Sequence, residues 1–227
     1  MPVPAIYKLQ QQKTMANRSE SVAIPCSFDP LKTFHWLEQK GKELYGPHFR
    51  IHEDDHEILF RLVVYFLRDE QAAPAVGIHL HKGILLSGPV GCGKTTLMTI
   101  MRQLLPAQGR FIMKSCRQIS FEFIRDGYET ISRYSRFTPG KDEKIEYCFD
   151  DLGTEQNLKY YGNECNVLAE ILLSRYDLFV NFQLKTHVTT NLAASELEQA
   201  YGNRVRSRLR EMFNLIHFSQ HAKDKRQ

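Results

Sequence analysis

The sequence predicts an α/β protein, a parallel β-sheet with helices on both faces. Three observations carry this. Short apolar runs of strand length alternate with segments whose apolar residues recur every three to four positions, the pattern of strands joined by crossover helices. One junction, residues 83–95, reads GILLSGPVGCGKT, so a strand passes through a glycine-rich loop into a helix. A second run ends in two adjacent carboxylates, Asp150 and Asp151, at the strand end where parallel sheets bind ligands.

Length and composition set the frame. The chain has 227 residues, which suits a core of about 150–170 residues with an appendage. The expected division is an N-terminal appendage or adaptor over 1–45, a core over 46–220 and a basic tail over 221–227. Hydrophobic residues are 42% and charged residues 25%, ordinary for a chain that buries a core. The net charge of +4 is mild. Its distribution says more: from Gly202 to Gln227 there are seven Lys or Arg and two Asp or Glu, which suits phosphate groups. Cys26, Cys92, Cys116, Cys148 and Cys165 are scattered without a C-x-x-C pair. That argues against a zinc site and for reduced thiols. With no apolar run near the ~18 residues of a membrane span and no signal-peptide core, a cytoplasmic protein is expected.

The elements follow in order. Residues 1–30 have no clear period, with helix expected near 6–16. Phe28–Gly41 reads as a turn and a short helix carrying Phe34, Trp36 and Leu37, with the single tryptophan packing inward. Asp54–Arg68 has Asp54 or Asp55 to cap it and a stripe of Ile58, Leu62, Tyr65 and Phe66; Phe49 and Ile51 before it read as core. Ile84–Ser87 is the first sheet strand. Leu97, Met98, Ile100, Met101 and Leu104 form the following helix, and Phe111–Lys114 the next strand. Gln118–Arg125 is helical and 126–143 irregular. Ile145–Phe149 is a strand, Glu164–Tyr176 a helix and Lys185–Thr189 a strand. Ser195–Ala200 and Arg204–Met212 are helices, and Leu215–Phe218 a last strand.

Four motifs carry chemistry. Gly88, Gly93, Lys94 and Thr95 fit G-x-x-x-x-G-K-[ST] between strand and helix, the context a phosphate loop requires. Its glycines turn backbone N–H groups toward one anion, and the helix adds its positive end. Lys94 reaches the β- and γ-phosphates, and the Thr95 hydroxyl can ligate Mg²⁺. In YCFDDLG, Asp150 suits Mg²⁺ and Asp151 suits a general base for the attacking water. In HVTTNL, Thr190 and Asn191 arrive at the same sheet edge; Asn after a strand is more commonly a turn residue, but a neutral amide there can sense a γ-phosphate. In YGNRVRSRLREMF, Arg204 and Arg208 share one helix face. Such a run usually makes a solvated surface, but an arginine before the last strand can reach a neighbouring subunit's nucleotide.

In this order the four motifs resemble the AAA+ ATPases, and in DDLG, TTNL and YGNRVRSRLREM the helicase-loader and transposition-helper branch. The resemblance covers roughly residues 45–220. It implies a P-loop NTPase fold of AAA+ type and ATP bound by Gly88, Pro89, Val90, Gly91, Cys92, Gly93, Lys94, Thr95 and Thr96. It implies Mg²⁺ held by Thr95 and Asp150. Catalysis would fall to Lys94, Asp151, Asn191 as sensor, and Arg204 or Arg208 as a finger acting in trans, which requires an ATP-dependent homo-oligomer. Partners implied are single-stranded DNA and a protein such as a replicative helicase or transposase. Three departures stand out: Asp151 where most of the family has Glu, no C-terminal helical lid, and an N-terminal segment, residues 1–45, that matches no adaptor of the family.

Single-stranded DNA is expected along 115–144, where six basic residues (Arg117, Arg125, Arg133, Arg136, Lys141, Lys144) face five acidic ones, and Phe121, Tyr128, Tyr134 and Phe137 can stack on bases. Ordinary helix and loop is the plainer reading of each of these residues. Two other functions fit the phosphate loop. A P-loop small-molecule kinase needs an acceptor-binding lid, for which 126–143 is short. A regulatory ATP-binding module with little turnover does not need the Asp150–Asp151 pair.

Overall fold

β1, Gly83–Ser87, is buried from Gly83 to Leu86, which is why it reads as a continuous apolar run instead of an alternating one. It lies inside a five-stranded sheet of order β2-β3-β6-β1-β7. Here β2 is Ile112–Ser115, β3 Tyr147–Leu152, β6 Thr186–Thr190 and β7 Phe213–His217. Every pairing is parallel, with Leu85 opposite Val188 on one side and Leu215 on the other. The turns after β1, β3 and β6 therefore leave from one end of the sheet, where a crevice forms between neighbouring strands. This computed structural model describes residues 24–135, 145–155, 158–160, 163–220 and 222–225; the helix expected at 6–16 lies outside them.

The chain divides into two units, Met1–Leu80 with Thr96–Pro106, and His81–Thr95 with Ala107–Gln227. In the first unit, α1 spans Pro30–Tyr45, a full turn longer than expected. The Asp29 carboxylate accepts from the N–H groups of Leu31 and Lys32, and Pro30 fills a position that needs no donor. Trp36 does not pack inward: it is half-exposed, with the Lys40 ammonium 5.8 Å from its ring centre. Phe49 does pack, with its ring lying on Gly41. α2, His56–Phe66, follows a 3₁₀ turn at Glu53–Asp55. Asp55 stands at its N-cap position but makes no side-chain capping bond. Beyond α2, the Asp69 carboxylate collects the N–H and hydroxyl of Ser27 and the N–H groups of Gln71 and Ala72. No helix among the described residues is long and apolar enough to cross a membrane.

α3, Lys94–Met101, starts in the second unit and continues into the first. The other helices of the second unit are α4 at Cys116–Asp126, α5 at Tyr128–Ser135, α6 at Val167–Phe182 and α7 at Ala194–Met212. Phe149, Leu152, Val188, Leu168, Ile171 and Leu209 form the centre of one apolar core. The expected two helices at 195–212 are one element broken at Gly202, whose φ of 80° and ψ of 163° leave the helical region. Residues 128–135, expected irregular, are helical, with Thr130 and Tyr134 buried. A small antiparallel pair, β4 at Leu158–Tyr160 and β5 at Asn163–Cys165, went unforeseen. So did Arg175, which is 1% exposed. Its guanidinium donates to Thr186 Oγ1 and to the carbonyls of Tyr134, Ile145 and Lys185, and lies 5.1 Å from the Tyr147 ring centre. Burial lowers its pKa to about 10, which leaves it charged at neutral pH.

Candidate nucleotide-binding site

The loop from Gly88 to Gly93 joins β1 to α3. Gly91 and Gly93 take φ values of 82° and 97°, a region that side chains with a Cβ enter only at a cost. Lys94 is 6% exposed. Its ammonium is folded back into the loop, donating to the carbonyls of Gly88 (2.8 Å) and Pro89 (2.9 Å).

At the start of α3, the Thr95 hydroxyl donates to Asp150 at 2.9 Å. Asp150 also accepts from the Thr189 hydroxyl at 2.5 Å, and Thr189 Oγ1 accepts the Asp151 N–H at 2.9 Å. One chain of hydrogen bonds thus links the phosphate loop, the paired acids and β6. Burial raises the Asp150 pKa and the Asp151 charge raises it further, while Thr189, Thr95 and Lys94 oppose the shift. The Thr95 and Asp150 oxygens are hard donors converging on one point. That fits Mg²⁺, which takes few protein ligands and fills the rest with water and phosphate.

Asp151 has φ 57°, and the β3–β6 register shifts between Phe149 and Leu152. The left-handed conformation costs a non-glycine residue about 1 kcal/mol or more. Its surroundings hold it there: Thr189 takes its N–H, and the N–H and hydroxyl of Thr154 donate to its carbonyl. Gly153 follows with φ 101°, and a Cβ there would lie 2.4 Å from the Leu192 side chain. The positive φ favours glycine at this place in DDLG, and the leucine of TTNL packs where a side chain would begin. The Glu155 carboxylate accepts the Gly153 N–H at 2.9 Å and the Tyr201 hydroxyl.

Asn191 follows β6 directly, one residue past Thr190, which pairs with Leu152. It is exposed and makes no hydrogen bond among the described residues. The two candidate arginines differ. Arg208 lies over the Tyr176 ring of α6, 4.2 Å from its centre. Arg204 is exposed, two residues past the Gly202 break, and pairs with no acid among the described residues. Neither touches the phosphate loop. The C-terminal segment does: Phe218 N–H donates to Ser87, Lys225 N–H to Gly91, and the Lys225 ammonium to Cys92. The Asp224 carboxylate lies against Gly91. Beyond its basic character, the sequence holds no signal for this placement.

No protein-family model matches the sequence, and no curated protein matches it. Solved structures do. The chain superposes on the DnaC helicase loader with a TM-score of 0.52 at 19% identity, over 76% of this chain and 94% of that one. DnaI follows with a TM-score of 0.50 at 18% identity, over 75% and 88%. The chain has the AAA+ ATPase fold.

Within that AAA+ fold, no described residue after β7 is helical. The stretch expected to meet single-stranded DNA is only partly available. Arg136, Phe137, Lys141 and Lys144 lie outside the described residues. Tyr134 is 1% exposed and donates to Glu122, so it is core and cannot stack on a base. Arg125 and Arg133 are tied to Asp126, and Arg133 also to Glu122. Phe121, Ile124 and Tyr128 are exposed, with the Arg117 guanidinium 5.5 Å from the Phe121 ring centre. Sequence reasoning missed Thr189, Glu155 and Tyr201. Thr189 sits in a doubled threonine ahead of Asn191, and Tyr201 opens the arginine motif, but only the three-dimensional pairing reveals their partners.

Proposed function

We propose that this protein binds and hydrolyses ATP as a switch acting on DNA or on a DNA-bound partner, in the manner of a replication helicase loader or transposition helper. The observation carrying the reading is the hydrogen-bonded chain Thr95–Asp150–Thr189–Asp151 at the mouth of the phosphate loop. It joins the Thr95 hydroxyl to the Asp150 carboxylate and, through Thr189, to the backbone of Asp151, which supports reading this cluster as the γ-phosphate end of the site. Lys94 meets the β- and γ-phosphates in exchange for its loop carbonyls. Thr95 and Asp150 would hold Mg²⁺, which would neutralise phosphate charge. Asp151 accepts a proton from the attacking water, and Asn191 hydrogen-bonds that water or the γ-phosphate.

Arg204 is the finger for a neighbouring copy's nucleotide, since Arg208 is engaged on Tyr176 of its own chain. The exposed Arg117, Phe121 and Tyr128 are the contacts for single-stranded DNA. Residues 1–45 serve as an adaptor for a protein partner.

The test is ATP hydrolysis with and without a single-stranded oligonucleotide. Lys94→Ala abolishes turnover. Arg204→Ala lowers kcat about 10³-fold, as loss of a trans arginine does, while a single subunit still binds ATP. Arg208→Ala has a small effect. Full concentration-dependent activity in Arg204→Ala would overturn the finger assignment.

A further inference from the structure

Glu155 joins two parts of the second unit that the proposed reaction uses separately. Through one oxygen it accepts the Gly153 N–H at 2.9 Å, and through the other the Tyr201 hydroxyl. Gly153 belongs to the turn that holds Asp151 at its positive φ, and Leu192, the neighbour of Asn191, packs on it. Tyr201 is 8% exposed and ends the first part of α7, immediately before the Gly202 break. Burial and the Glu155 charge raise its pKa, so the phenol remains a donor. Two further contacts brace the same junction. Asn166 Nδ2 donates to the Ala200 carbonyl at 3.0 Å, and Arg206 reaches back across the break to Glu198. Arg204 follows two residues after Gly202, so its direction depends on how this junction is held.

We infer that Glu155 and Tyr201 form a latch coupling the Asp151 turn to the helix segment that presents Arg204. Both are positioning residues: neither touches a phosphate, and they act by fixing where Asp151 and Arg204 stand. The inference rests on the ATPase reading for its catalytic consequence, not for its structural one. A movement at the nucleotide's γ-phosphate end would pass through Gly153 and Glu155 to Tyr201, and from there to the interface arginine. Tyr201→Phe preserves the ring and its packing while removing the hydroxyl, so it isolates the latch from the fold.

Two measurements on the full chain test this. In steady-state hydrolysis, Tyr201→Phe lowers kcat about tenfold, the size expected for one hydrogen bond to a charged group. KM for ATP stays within about twofold, because the phosphate loop is untouched. Glu155→Ala lowers kcat at least as much, Glu155→Gln restores part of it by keeping an acceptor, and Tyr201→Phe adds nothing in the Glu155→Ala background. In amide hydrogen exchange, Tyr201→Phe loosens 151–155, and Glu155→Ala loosens 203–210. The latch is overturned if Tyr201→Phe leaves both kcat and exchange over 151–155 at wild-type values, or if the two substitutions are fully additive. If exchange is coupled but hydrolysis by the wild-type chain does not depend on Lys94, the latch stands and the ATPase reading falls.

Discussion

Asp150 carries the main conflict at the residue scale. It is a carboxylate drawn out of water beside a second one, and burial raises its pKa. Thr95 and Thr189 both donate to Oδ1, an atom that asparagine keeps. In metal-free protein, Asp150→Asn is therefore expected to raise the Tm by about 2–4 °C, equivalent to about 1 kcal/mol at this length, while ending the proposed Mg²⁺-dependent hydrolysis. The sign follows from linkage: a carboxyl whose folded pKa is raised disfavours the folded state above that pKa, so the gain disappears as pH falls through it. A thermal melt series across acid pH checks this.

His187 has the opposite sign. It is buried in β6, and its Nδ1 accepts the Ile84 N–H at 3.1 Å. Burial, then Lys185 and Arg175, push its pKa from 6.5 to about 3. The Glu146 carboxylate, 4.0 Å from Nε2, is too distant to reverse this. An unfolded chain takes up a proton below pH 6.5 that the folded chain refuses. Stability is thus lost as pH falls, by up to about 1.4 kcal/mol per pH unit from this residue alone. His187→Gln, measured by denaturant titration between pH 7 and 4, is expected to show a shallower loss.

At the scale of elements, Arg175 ties the end of α5 and the starts of β3 and β6 to one guanidinium. Arg175→Met fills much of the volume but orphans three carbonyls and the Thr186 hydroxyl. A loss of about 3 kcal/mol or more is expected in urea unfolding, far larger than for the surface change Arg117→Met. Element type was legible where the local pattern was clear, as short unbroken apolar runs for β1, β3 and β6 and a 3.6-residue period for α2, α4 and α6; all lie close to where their apolar residues place them. α5 was not, because YETISRYS buries only Thr130 and Tyr134, too sparse a stripe for period-based reading, with Gly127 and Pro139 nearby to suggest a loop. β4 and β5 are three residues each, below the length at which alternation can be recognised.

For the whole molecule, the proposed trans role of Arg204 would make a single chain an incomplete catalyst. Light scattering is expected to show association when a nonhydrolysable ATP analogue and a single-stranded oligonucleotide are present together. A chain that stays monomeric under those conditions, yet hydrolyses ATP at a rate independent of its own concentration, would contradict the trans arginine.

The local sequence by itself determined the phosphate loop, the paired acids, the TTN edge and the α/β class, because a strand–loop–helix motif, an unbroken apolar run and a 3.6-residue period are properties of neighbouring residues. Only the tertiary structure decided the rest. It showed that Thr189 bridges both acids, that Gly153 must accommodate Leu192, that Tyr134 is core instead of surface, and that Arg208 is occupied while Arg204 is exposed. Each depends on residues brought together across the sheet from distant positions, and no period along the chain encodes which hydroxyl will meet which carboxylate.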